Sequence, residues 1–150
     1  MTDYYFKHQH EGKGVLLKGV KKILERLKSQ SIPIGLLTGN VESIGWNKLE
    51  RANIRDYFSF GGFGSLAYRR VDLIPIAKAE AERVLKRSIS LKDLFLVGDS
   101  PLDIACAKFW GIKAVAVAQG KFSQKELSIA GADLVLGSLE DNKKFFEFIE

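Results

Sequence analysis

A chain of 150 residues with 46% hydrophobic and 27% charged side chains can bury a real core, which excludes a disordered polypeptide and fits one globular domain. The formal net charge of +5 and sequence pI near 9.3 come from dispersed lysines and arginines, with no basic run interleaved with aromatics. Nucleic-acid binding is therefore not expected, whereas small anionic, phosphorylated ligands would suit the positive bias. One cysteine, Cys106, excludes an internal disulfide and makes a reducing cytoplasm the default. No apolar stretch approaches the ~18 residues of a membrane span, and the polar and aromatic opening residues do not read as a leader peptide.

In chain order, residues 1–13 are polar and aperiodic and read as a loose arm, leaving 14–150 for the core domain. Val20, Ile23, Leu24 and Leu27 fall at i, i+3, i+4, i+7 and predict an amphipathic helix. Residues 32–37 predict a short strand closed by Thr38-Gly39-Asn40. Val41, Ile44, Leu49 and Ala52 predict the next helix, and 58–63 a strand ending in glycines. Ala77, Ala81, Val84 and Leu85 predict a long helix, 94–97 a strand and 101–110 a helix. The chain closes with a strand over 114–117, a short helix over 123–130, a strand over 134–136 and a helix over 139–149. Strands that are continuous apolar runs, alternating with helices, predict an α/β fold with a doubly wound parallel sheet covered on both faces.

Two strand tips carry the candidate chemistry. After Leu94-Phe95-Leu96-Val97 the chain reads Gly98-Asp99-Ser100-Pro101-Leu102-Asp103. Asp99 sits at the strand end and Asp103 four residues on, so a helix starting near Pro101 would turn both carboxylates into one crevice, a hard-oxygen site suited to Mg²⁺. A purely structural account makes Ser100 an N-cap and Pro101 the first helical residue, which leaves the two acids unexplained. Thr38-Gly39-Asn40 lies between a strand and a helix, where backbone N–H groups, the Thr38 hydroxyl and the close approach allowed by Gly39 suit a phosphate. The competing account is a turn with Asn40 as N-cap. Arg70 and Lys78 are the candidate cations for the same crevice. His8, His10 and Glu11 form a short cluster with no further ligand nearby. Trp46 and Trp110 read as packing residues, and Cys106 as a small buried one.

With these motifs in this order, the chain resembles the haloacid dehalogenase-like hydrolases, in particular their phosphoglycolate-phosphatase-like branch. Leu36-Leu37-Thr38-Gly39-Asn40 looks like that family's second motif, and Gly98-Asp99-Ser100-Pro101-Leu102-Asp103 like its fourth. The stretches 57–65 and 73–77, Gly120 and Gly131-Ala132-Asp133 are also typical of that subgroup, and the likeness runs from about residue 15 to 140. The resemblance implies Mg²⁺-dependent hydrolysis of a small phosphomonoester. It gives Thr38 the phosphoryl group, Arg70 or failing that Lys78 the role of site cation, and Asp99 and Asp103 the metal, Asp103 as ligand or orienting group.

The family's first motif, Asp-x-Asp-x-Thr on the opening strand, is absent, and no Asp-x-Asp occurs in these residues. That motif carries the nucleophile and the acid/base. Most of the cap that follows it is missing too, and Tyr4-Tyr5 look like the end of such a cap. In this family the opening strand lies centrally, between the strand ending at Thr38 and the one ending at Asp99, so its loss uncovers two inner edges. Either these strands close up, residues 14–18 fill in, or another chain supplies a strand by homodimerisation or strand exchange. Three functions follow: a truncated or divided phosphatase core, inactive alone and weak in Mg²⁺; a non-catalytic binding module that keeps the fold; or an unrelated nucleotide-binding domain, which the lack of a Gly-x-Gly-x-x-Gly after the first strand disfavours.

Overall fold

The computed structural model describes residues 16–150. The arm over 1–13, with Tyr4-Tyr5 and the His8, His10 and Glu11 cluster, lies outside the described residues. So do positions 14 and 15 of the candidate filler segment.

Helices and strands alternate as α1 (Val20–Ser29), β1 (Gly35–Thr38), α2 (Glu42–Arg51), β2 (Phe60–Phe63), α3 (Leu73–Leu85), β3 (Phe95–Gly98), α4 (Pro101–Phe109), β4 (Lys113–Val117), α5 (Gln124–Ile129), β5 (Leu134–Leu136) and α6 (Asn142–Ile149). The fold is α/β with parallel strands throughout. The strands form two sheets where one was expected. β1 pairs with β2, in register from Gly35 opposite Phe60 to Thr38 opposite Phe63. β3, β4 and β5 make a three-stranded sheet in that order. β1 and β3, the expected neighbours of the absent opening strand, belong to different sheets. Leu16 to Gly19 enter α1 as coil and turn and add no strand.

Among the described residues, Lys21–Ile89 with Leu16 form one compact unit, and Ser90–Glu150 with Leu17–Val20 a second. The first holds β1 and β2 with α2, α3 and all of α1 except Val20; the second is the three-stranded sheet with α4, α5 and α6. No helix among the described residues is long and apolar enough to cross a membrane.

The stripe read for α1 is the buried one: Val20, Ile23, Leu24 and Leu27 are all in the core. Helix ends are set by left-handed residues. Ser31 (φ 57) and Asn53 (φ 57) each donate to the carbonyl three residues back, while Ile32 and Ile54 donate five back, to Leu27 and Leu49. This paired pattern closes a helix and aims the chain at the next element. It also explains why the strand expected from residue 32 begins at Gly35: residues 31 and 32 belong to the cap of α1. Gly111 (φ 70) and Gly131 (φ 95) repeat the device after α4 and α5.

α2 departs from its expected face. Val41 and Ile44 are 43% and 48% exposed, and the buried positions are Gly45 and Leu49. A β-carbon on Gly45 would lie 3.3 Å from the Thr38 methyl and 2.9 Å from the Phe63 ring, so the helix touches β1 and β2 through a residue with no side chain. α3 starts at Leu73, earlier than the apolar spacing indicates, because Pro75 is tolerated in a first turn, where no backbone N–H is needed. In the second unit Asp133 aligns two strands: its N–H donates to the Ala114 carbonyl at 2.9 Å, and its Oδ2 accepts from the Ala114 N–H at 2.8 Å.

Candidate functional site

Thr38 ends β1 and is 1% exposed. Its Oγ1 accepts two hydrogen bonds from Asn40, one from the backbone N–H and one from Nδ2, both 3.1 Å. Asn40 therefore braces the Thr38 side chain and does not cap α2. The N-cap is Val41, whose side chain makes no capping hydrogen bond. Two donors on one oxygen fill its acceptor capacity, and the remaining function of the hydroxyl is donation.

The turn is held from the β2 side as well. Gly64 N–H donates to the Asn40 carbonyl at 2.9 Å, and a β-carbon on Gly64 would fall 2.6 Å from the Gly39 carbonyl carbon. Only glycine at 64 lets the two strand-end loops touch backbone to backbone. Because β1 and β2 are parallel, the loop that leaves Phe63 begins at the Thr38 end of this sheet. Arg70 lies along it, opening the tight turn Arg70–Asp72 ahead of α3, half-buried and with Nε shielded from solvent. Arg69 is exposed and makes a two-pronged contact to Asp72 at 2.9 and 3.0 Å.

Lys78 sits on α3, with its ammonium 2.7 Å from Glu82 Oε1. The same oxygen accepts the Ile89 N–H at 2.9 Å. The Lys78 hydrogen bond, and then the Ile89 N–H, hold the Glu82 carboxyl below its ordinary range. Lys78 thus links α3 to the chain that follows it.

In the second unit, Asp99 follows β3 directly and is half-buried. Asp103 is 3% exposed, and its Oδ2 accepts three hydrogen bonds: from the Asp99 N–H at 3.1 Å, the Ser100 N–H at 3.2 Å and the Ser100 hydroxyl at 2.9 Å. Ser100 Oγ in turn accepts the Asp103 N–H at 3.3 Å, completing a reciprocal cap on α4 with Pro101 at its start. Ser100 and Pro101 are where a helix start requires them, and the cap accounts for Asp103 too. Asp99 is the acid that helix capping leaves unexplained.

Cys106 is buried on α4. Trp110 packs edge-on against Phe109 at 5.2 Å, and Trp46 packs likewise against Phe63 at 5.2 Å. Among the described residues no group of three or more His, Cys, Asp or Glu side chains is placed to hold a metal ion. The positions that sequence patterns missed are Gly45 and Gly64, the contacts that seat the Thr38 turn. Their only signal was a glycine inside a helical run and another just past a strand.

Residues 1–117 match the family model described as haloacid dehalogenase-like hydrolase. Two curated relatives are phosphoglycolate phosphatases. That of Chromobacterium violaceum is 30% identical over 124 residues, covering 82% of this chain and 53% of the relative. That of Neisseria meningitidis is 33% identical over 123 residues, covering 79% and 50%. The chain thus spans about half the length of these relatives. Among solved structures, a protein described as a predicted phosphatase from Clostridium acetobutylicum superposes with a TM-score of 0.74 at 25% identity, over 89% of this chain and 61% of that one. A haloacid dehalogenase-like family hydrolase from Streptococcus pneumoniae gives a TM-score of 0.73 at 21% identity, over 87% and 60%.

Proposed function

The chain belongs to the haloacid dehalogenase-like hydrolase family, and on that footing we propose that it is the phosphate- and metal-binding part of a phosphatase acting on a small phosphomonoester. The core runs over 14–150, with 1–13 as a cap remnant. The observation that carries this reading is the Thr38 turn: a buried hydroxyl at a parallel strand end, braced by Asn40, next to a helix whose N-cap, Val41, offers no capping side chain. The phosphoglycolate phosphatases of C. violaceum and N. meningitidis make 2-phosphoglycolate the first substrate to try.

In this reading the Thr38 hydroxyl donates to a phosphoryl oxygen, and the backbone N–H of Gly39 and those at the start of α2 donate to its other oxygens, the Asn40 N–H being held by Thr38 Oγ1. Arg70 is the first choice for the cation that offsets the phosphoryl charge, as the likeness to the phosphoglycolate-phosphatase-like branch implies, with Lys78 the second. Asp99 is the metal ligand. Asp103, with Oδ2 accepting from three donors, orients the Asp99 loop. Aspartate oxygens fit Mg²⁺, but two are too few for its octahedral shell, so water, substrate and a further protein carboxylate must supply the rest. When bound, Mg²⁺ would neutralise charge on the phosphoryl group. The lone, buried Cys106 suits a cytoplasmic setting.

A carboxylate nucleophile is not among these side chains: no Asp-x-Asp occurs in the 150 residues. The chain alone is therefore inactive, and the nucleophile comes from a strand joined upstream or supplied by a second chain. That same absence favours, as a second reading, a non-catalytic module that retains phosphate binding. The test is a 2-phosphoglycolate assay, with and without Mg²⁺, of the chain alone and of the chain extended by a strand carrying Asp-x-Asp-Gly-Thr. Activity only in the extended protein, lost in Asp99→Asn and reduced in Thr38→Val, supports the phosphatase. An extended, folded protein that binds phosphate without turnover supports the module.

A further inference from the structure

The first unit carries a second concave site, built from none of the residues assigned to phosphoryl chemistry. A groove of about 620 Å³ lies between α2 and α3, with β2 contributing to its wall. That volume is in the range of small-ligand sites. Trp46, Phe60, Phe63, Leu66 and Ile76 supply apolar surface, and Arg55 and Ser59 supply polar groups.

Its charges are unevenly satisfied. Glu42 accepts from Trp46 Nε1 at 3.1 Å, and Glu80 pairs with Arg83. Arg55 makes no ion pair with a carboxylate of any described residue. It is half-buried, its guanidinium carbon lies 3.7 Å from the centre of the Trp46 ring, and Nη1 donates to the Phe58 carbonyl at 2.8 Å. A guanidinium has five N–H donors in one plane, and one of them is used here. The stack and the carbonyl hold that plane still, so a ligand would not have to order a long flexible side chain. A half-buried cation, fixed in direction and flanked by apolar walls, matches one kind of ligand: a flat apolar body ending in an anion.

We propose that this groove binds a small carboxylate or phosphate ester with an aromatic or flat apolar portion, its anionic head on Arg55 and its body against Phe60, Leu66 and Ile76. The proposal is independent of whether the chain is a phosphatase. The test is an NMR titration of the ¹⁵N-labelled 150-residue chain, following the Trp46 indole N–H and the Ser59–Phe63 amides. The probes are benzoate and phenyl phosphate, with acetate, inorganic phosphate and benzyl alcohol as partial mimics.

Saturable shifts with benzoate, phenyl phosphate or both are expected, and which of them binds more tightly identifies the head group. Affinity should fall roughly tenfold or more in Arg55→Gln, the scale of losing one charge-assisted contact. Ser59→Glu, at an exposed position, places a carboxylate beside Arg55 without touching the core and should compete in the same way, so a folding defect in one variant does not decide the result. No saturable shift from either aromatic anion would overturn the proposal. So would equal binding of benzyl alcohol, equal binding of acetate and phosphate, or binding that survives both substitutions in folded protein.

Discussion

The Asp103 carboxylate folds back over Gly98, so that a β-carbon at position 98 would sit 2.6 Å from the β-carbon of Asp103. The last residue of β3 and the third residue of α4 are thus in contact through a missing side chain. The contact is what lets Asp103 reach the Asp99 and Ser100 N–H groups. Gly98→Ala must push Asp103 away and undo the cap as well as crowd the turn. A loss of about 1–3 kcal/mol is expected in urea denaturation, and part of it should remain when Asp103 is already Ala, because the β-carbon of residue 103, 2.6 Å away, is still there. An alanine variant as stable as the parent would show that the turn relaxes freely.

Gly64→Ala tests the other strand tip. The added methyl meets the Gly39 backbone, which has no flexible end to swing aside. The Thr38–Asn40 turn should shift, weakening phosphate binding, while β2 and α3 keep their pairing and packing. Phosphate titration and amide shifts at Gly39 and Asn40 would check this; unchanged binding would show that the turn does not hold the anion.

Glu82 gives a signed pH dependence. Its carboxyl is held below its ordinary value by Lys78 and the Ile89 N–H, so the ionised form is favoured in the folded state. The stabilisation is therefore fully present above the unfolded-state value and is lost as pH falls through the lower folded-state value. Glu82→Gln should be less stable than the parent near neutrality, and the difference should shrink steadily in acid. A gap between the two proteins that stays constant with pH would locate the effect elsewhere.

Mg²⁺ should bind weakly. Asp99 and Asp103 are two carboxylate side chains for an ion that requires six oxygen ligands. Calorimetry should show only weak binding, abolished by Asp99→Asn. Tight binding that persists in Asp99→Asn would mean a different ligand set.

Turnover by the 150 residues alone should be undetectable. Loss of a catalytic nucleophile costs about six orders of magnitude in a hydrolase whose machinery is otherwise intact. From a typical ~10 per second, that leaves roughly one turnover per day. Hydrolysis of a phosphomonoester at ~1 per second, abolished by Asp99→Ala, would mean that another side chain attacks phosphorus.

The sequence by itself determined the α/β class, because period and strand length depend only on which residues alternate. Val20, Ile23, Leu24 and Leu27 declare a helix face, and residues 94–97 a strand, without reference to any other part of the chain. It also determined the two strand-tip motifs, since Thr38-Gly39-Asn40 and Asp99 through Asp103 are contiguous. Even the start of α4 was legible, as Ser100 and Pro101 are local helix-start signals.

Tertiary structure decided the rest, and for one recurring reason: close backbone approach has no side chain to announce it. The buried face of α2 runs through Gly45, so the apolar Val41 and Ile44 that mark a face in the sequence point outward. Gly64 and Gly98 place the two strand-tip turns only because of what lies opposite them, Gly39 and Asp103. The roles of Asn40 and Asp103 turned on hydrogen-bond partners: Asn40 braces Thr38 while Val41 takes the N-cap of α2, and Asp103 caps α4. The division of the strands into two sheets likewise belongs to pairing, which is a property of strands in space and not of any one run of residues.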